Sequence, residues 1–200
     1  MLTFDGPTHT YRWHGQLVPG VTTILHPLED WSKVPKDVMR QAQERGTFVH
    51  SLTELYDLGQ LDVDAVLFDA AYLAYRGYLR AWQSFTSDYD PVWSEIEQMG
   101  YSQRFGFAGT WDRAGELLRK APGRWHVDIK TSEQSYASWG VQTAAYRQIR
   151  SESAPTAALD RRATVQLHAD GRYTFLPWDE ADDWPCFQAL LTVHNWSSRR

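Results

Sequence analysis

Along Arg124-Trp125-His126-Val127-Asp128-Ile129-Lys130-Thr131 apolar and polar side chains alternate. Trp125, Val127 and Ile129 fall to one side, and His126, Asp128 and Lys130 to the other. A period of two is that of a β-strand with one face in the core and the other open. Asp128 and Lys130 then stand side by side on the polar face, a carboxylate beside an ammonium at the strand's end. Residues 105–114 and 92–99 read as further strands, and the second places Glu95 and Glu97 on one face. Strands at 163–168 and 172–176 flank an Asp170-Gly171 hairpin turn. At the front, residues 9–25 read as paired strands around a turn at His14-Gly15-Gln16.

Between these runs the spacing changes to that of helices. In residues 35–58, Val38, Ala42, Val49, Leu52 and Leu55 recur at helical intervals, with Pro35 near the start, where a missing N–H costs little. Gly46 interrupts this helix at a cost of about 1 kcal/mol relative to alanine, which calls for a packing or functional reason. His50 lies one turn further on the same face. A second helix over 65–85 carries Tyr72, Tyr75, Leu79 and Trp82 on one stripe, and 87–91 reads as a loop. A third helix, 136–151, sets Gln142 and Tyr146 four apart, adjacent on one face. A last helix covers 180–195.

The chain therefore reads as α/β or α+β, a central mixed sheet with helices before and between its strands. It divides into a hairpin region (1–34), a helical region carrying Gly46 and His50 (35–86) and a sheet core (87–200). No linker or repeat splits it, and 200 residues suffice for one domain with a substantial core. The ten tryptophans are scattered and read mostly as packing residues. The single cysteine, Cys186, excludes an internal disulfide and a four-cysteine iron–sulfur cluster, and fits a reduced, cytoplasmic setting. No run approaches membrane-spanning length. A formal net charge of −5 argues against a protein that coats nucleic acid through bulk electrostatics. It does not argue against an acidic metal site that works on nucleic acid.

Taken in order, Gly46-x-x-x-His50, a glutamate at 95 or 97, Gly109-Thr-Trp-Asp112, Asp128-Ile-Lys130 and Gln142-x-x-x-Tyr146 resemble the RecB-type branch of the PD-(D/E)XK nucleases, phage exonucleases included. The resemblance spans roughly residues 9–146. It implies the nuclease core of that superfamily and hydrolysis of DNA phosphodiesters with Mg2+ or Mn2+. It implies Asp112, Asp128, His50 and the Ile129 carbonyl as metal ligands, Lys130 and a glutamate in catalysis, with Glu95 preferred over Glu97. Gln142 and Tyr146 would support the site from their helix, and Arg147 and Arg150 read as phosphate contacts. The function expected is a phage-type exonuclease acting in a bacterial host's cytoplasm, with a single-strand annealing protein as a partner in recombination. The alternatives are a structure- or sequence-specific endonuclease, a non-catalytic DNA-binding subunit, and a metal-binding protein unrelated to nucleic acid. Retention of Asp112, Asp128 and Lys130 weighs against a degenerate subunit. Strand polarity, the number of metal ions and oligomeric state are left open.

Overall fold

The computed structural model describes residues 1–6, 8–29 and 32–198; Trp31, one of the tryptophans read as packing residues, lies outside them. Strands β1 (Leu2–Asp5), β2 (Thr10–Trp13) and β3 (Gln16–Val18) form an antiparallel sheet. His14 and Gly15 join β2 to β3 with φ of 49° and 82°, the two-residue turn whose twist matches its strands. The expected continuation of this hairpin to residue 25 fails. Val21–Leu25 is a short helix, α1, which buries Val21, Ile24 and Leu25. Their spacing is helical, and burial against the core outweighs the β-preference of the branched residues.

Helix α2 (Lys36–Asp57) starts directly after Pro35. The single helix expected over 65–85 is broken into α3 (Val63–Phe68), a 3₁₀ turn (Ala70–Tyr72) and α4 (Arg76–Tyr89). Asp62 accepts from the Ala65 amide and Asp69 from the Ala71 amide, so two local caps restart the chain where periodicity alone runs on. Helix α4 absorbs most of the loop expected at 87–91 and ends at Asp90, whose φ is 51°.

Next come β4 (Pro91–Ser102), β5 (Phe107–Leu117), β6 (Gly123–Lys130), α5 (Ser138–Ser153), a 3₁₀ turn (Pro155–Leu159), β7 (Arg161–Leu167), β8 (Tyr173–Trp178) and α6 (Asp183–Ser197). The five strands lie in the order β4-β5-β6-β7-β8. Only β6 and β7 run parallel, joined by a crossover through α5. The protein is thus α+β, a five-stranded mixed sheet flanked by helices with a three-stranded antiparallel sheet at its N-terminus. The small sheet is tied to the large one by the Ala108 amide donating to the Pro19 carbonyl (2.9 Å) and by the Tyr11 and Thr110 hydroxyls, 2.8 Å apart.

Both faces of the large sheet are covered. Trp125, Val127 and Ile129 pack with Val49 of α2 and Tyr78, Trp82 and Phe85 of α4. On the other face, Phe107, Trp111 and Ala114 pack with α1, α5 and α6. This corrects the reading of β6 as half open. His126 and Asp128 are 0% and 2% exposed, and the His126 ring lies 5.9 Å from that of Tyr146 on α5. Burial, with Arg150 nearby, pushes the His126 imidazole well below its usual pKa, so it is neutral. Among the described residues no helix is long and apolar enough to cross a membrane.

Candidate metal centre

Strands β5 and β6 pair from Leu117–Gly123 as far as Arg113–Val127 and then part. Asp112 and Asp128 occupy the next step, at the mouth of the split. There the Ile129 amide donates to Asp112 Oδ2 at 2.5 Å, so the carboxylate takes the place of a ladder partner. Strand β4 is irregular at the same level. Ile96 pairs with Arg113 and Gln98 with Trp111, but Glu97 between them has a φ of 47°. A left-handed glutamate inside a strand costs about 1–3 kcal/mol, and such strain concentrates at functional sites.

That twist separates the two glutamates expected on one face. Glu95 turns to the α5 side, where both its oxygens accept from Arg150 (3.0 Å each) and one also accepts from Trp111 Nε1 (2.8 Å). Glu97 turns to α2. His50 Nδ1 lies 3.5 Å from both Glu97 Oε1 and Asp112 Oδ1, and one donor atom from each residue falls within 4.8 Å of the others. The structure therefore puts Glu97, rather than the preferred Glu95, beside His50 and Asp112. Two carboxylates and an imidazole suit a hard divalent cation that accepts one nitrogen, Mn2+ more readily than Mg2+. The Ile129 carbonyl, expected as a ligand, lies 3.2 Å from His50 Nε2. In that position it orients the ring so that Nδ1 faces the acids.

Charge is concentrated here. Burial pulls the His50 pKa down, but Asp112 and then Glu97 outweigh it and raise it to about 9. At neutral pH the ring is an imidazolium set between two carboxylates and a carbonyl. Burial pushes Asp112 upward, with His50 opposing. Asp128 is raised to about 6 by burial, against the pull of Lys130, whose Nζ lies 2.8 Å from Asp128 Oδ2. Burial would lower Lys130, but Asp128 and Asp112 overcome it and the pKa rises, so Lys130 stays an ammonium.

Gln142 and Tyr146 sit on α5 behind the split, both buried, with Gln142 Nε2 donating to the Tyr146 hydroxyl at 2.9 Å. Burial holds that phenol well above its usual pKa. Gly109 makes room for this ring: a Cβ there would lie 2.6 Å from Tyr146 Cε1. The Gly-x-x-Asp spacing thus joins a packing glycine to a candidate ligand. Arg150, also read as a phosphate contact, is instead paired with Glu95 and Asp160, and Arg147 is elsewhere. It donates to the Asp160 carbonyl at 3.1 Å and lines a separate cleft with Arg161, Arg162 and Trp178.

Sequence reasoning missed Arg113. Fully buried, it donates to Asp57 Oδ2 (2.7 Å), Glu97 Oε1 (2.9 Å), the Asp112 carbonyl (2.7 Å) and the Thr53 hydroxyl (3.2 Å). Its guanidinium holds Glu97 toward His50. The signal in the sequence was an arginine directly after Asp112 inside a strand rich in small and apolar residues. Nothing in periodicity names its partner on α2, 56 positions away.

No protein-family model matches the chain, and no curated protein matches it.

Two outcomes test this geometry. Glu97→Gln should raise the Mn2+ concentration needed for half-saturation by about 10–100-fold. Glu95→Gln should leave it within about twofold and instead lower the melting temperature, because the buried Arg150 loses a charged partner. Titrations on both variants check this, and equal shifts would dissolve the distinction.

The second concerns pH. The His50 value stands above its unfolded one, about 9 against 6.5, so the native protein holds a proton that the unfolded chain releases between those values. The stabilisation is complete below pH 6.5 and is lost as pH rises through 9. Metal-free protein should lose melting temperature across that window, and His50→Gln should flatten the decline. A cation bound by the ring expels the same proton. Calorimetry in buffers of different ionisation enthalpy should count close to one proton released per ion; a count of zero removes His50 from the ligand set.

Proposed function

We propose that the chain is a metal-dependent deoxyribonuclease with a PD-(D/E)XK-type core, acting as an exonuclease on duplex ends. The observation that carries this reading is the meeting of His50, Glu97 and Asp112 at the split between β5 and β6, with the Asp128–Lys130 pair beside it. Four of the five motifs that resemble the RecB-type branch contribute to this one place, and the fifth, Gln142–Tyr146, packs behind it.

His50, Glu97 and Asp112 would hold Mg2+ or Mn2+, with Asp128 as the next acid along the rim. The cation, when bound, relieves charge on the phosphoryl oxygens and lowers the pKa of water. Lys130 remains protonated, so it is no general base. It stands as fixed positive charge where the phosphoryl group gains negative charge. Asp128 keeps that ammonium in place, and its own raised pKa leaves it ionised at neutral pH. Gln142 lines the cleft beside Lys130 and offers an amide to a phosphate or water. The protein would work in the cytoplasm of a bacterial host, and the single strand left by resection is what an annealing protein takes up.

A linear duplex and a covalently closed circle of the same sequence, incubated with Mn2+, Mg2+, Ca2+ or EDTA, test the reading. The linear form should be degraded with Mn2+ at least as fast as with Mg2+, the circle should survive, and Ca2+ should support no turnover. Nicking of the circle or discrete fragments would make it an endonuclease; no cleavage of any DNA would remove the proposal.

A further inference from the structure

His50 of the candidate metal cluster lines a cleft of about 280 Å³, together with Ile129, Lys130 and Gln142 and with Arg45, Gly46, Thr131 and Ser132. Arg45 is unlike the other arginines near the site. Arg113, Arg150 and Arg162 are each paired to buried carboxylates. Arg45 Nε is buried and meets no acceptor, and no carboxylate among the described residues pairs with its guanidinium. Its charge is felt by the Tyr78 phenol, whose pKa it lowers against a larger upward push from burial. Among the described residues the acid on the cleft wall is Glu29, which accepts from the Ser138 hydroxyl at 2.7 Å.

Gly46 supplies the second observation. A Cβ there would meet only Thr131 Oγ1, at 3.9 Å, so no protein group requires the glycine. The helix tolerates its cost, and the space that a side chain would take belongs to the cleft between Arg45 and Thr131. Arg45 precedes His50 by five residues, about 7.5 Å along the helix axis. That offset is about two nucleotide steps of a strand, whose axial rise is about 3.4 Å per nucleotide, which suits a contact to a neighbouring phosphate.

We propose that Arg45 and the Thr131 hydroxyl, with Gly46 left small between them, form a seat for a non-scissile backbone phosphate of the DNA strand being cut. The seat rests on the nuclease reading and extends it, replacing Arg147 as the phosphate contact. A guanidinium with no carboxylate partner among the described residues matches a phosphate in charge and fork geometry, and the contact carries no base preference.

The test is cleavage kinetics of linear duplex with Mn2+, combined with duplexes carrying a neutral methylphosphonate at single positions near the end. Arg45→Gln should raise KM about tenfold, as expected for one charge-assisted phosphate contact. It should also lower the slope of log affinity against log salt by about one. In the wild type one methylphosphonate position should reproduce that loss, and in Arg45→Gln the same position should cost nothing further. Gly46→Ala should melt higher than the wild type while raising KM, a combination that a purely structural glycine does not give. Should Arg45→Gln fold poorly, Arg45→Lys should keep the salt slope but still raise KM. Unchanged KM in Arg45→Gln, or additive losses at every methylphosphonate position, with wild-type cleavage intact, would overturn the seat alone. Absence of wild-type cleavage would overturn the nuclease reading and the seat with it.

Discussion

Asp128→Asn is expected to lower the cleavage rate by roughly 10²–10³-fold, the usual scale for removing one preorganised charge from a reacting centre, while the protein stays folded. Stability should change little for a specific reason. Burial holds the Asp128 carboxyl at about pKa 6, so its ionised form already costs free energy at neutral pH. Losing that charge offsets the loss of a partner for Lys130, 2.8 Å away. Lys130→Ala should be as damaging by a different route, because Asp128 without its ammonium rises further and takes up a proton. Each variant thus breaks the charge pair, and the double variant should be no slower than the worse single one. Rates and melting curves on the same preparations check this. Turnover within threefold of wild type in either single variant would take the pair out of the chemistry.

Why some of this was readable and some was not follows from where the information lies. The order of strands and helices from 35 onward follows hydrophobic period, and α2, β5, β6, α5 and the β7–β8 hairpin fall close to where it puts them. The breaks at Asp62 and Asp69 depend on single side-chain caps, which a tyrosine stripe in 65–85 conceals. Val21–Leu25 was misread because β-branched residues were weighed without the burial that bends them into α1. The polar face of β6 looked open because alternation reports difference between faces, not exposure; α5 covers that face with Tyr146 against His126. At the site, His50, Asp112, Asp128 and Lys130 were legible as local motifs. The choice between Glu95 and Glu97 was not, because a strand's period assumes extended backbone and Glu97 has a φ of 47°. Arg147 was chosen for being basic and near α5's motif, yet helical rotation carries it to another cleft.

Arg113→Met should be the most destabilising substitution near the site. It would leave Asp57 and Glu97 without the guanidinium that both face. Removing one partner from a buried ionic network costs about 3–5 kcal/mol, which for a chain of this size corresponds to a fall in melting temperature of about 10 °C or more. Asp57 bears most of it. Burial already raises its pKa, and Arg113 is the largest influence opposing that rise, so without the arginine it would rise further and the buried carboxylate would cost more. Adding Asp57→Asn to Arg113→Met should therefore recover part of the lost stability, because an amide can stay buried with its Trp82 Nε1 contact, 3.0 Å in the wild type, at lower cost than a lone carboxylate. It should recover none of the lost metal affinity. Glu97 would still lack the 2.9 Å bond that aims it at His50, and half-saturation with Mn2+ should stay about 10–100-fold higher. Arg113→Lys separates charge from shape: it restores a cation but not the fork that spans Asp57 and Glu97 together, so stability should return further than metal affinity. If stability and affinity instead recovered in step in the double variant, Arg113 would be a core residue that happens to lie beside the metal centre, and Glu97 would need no help to reach it.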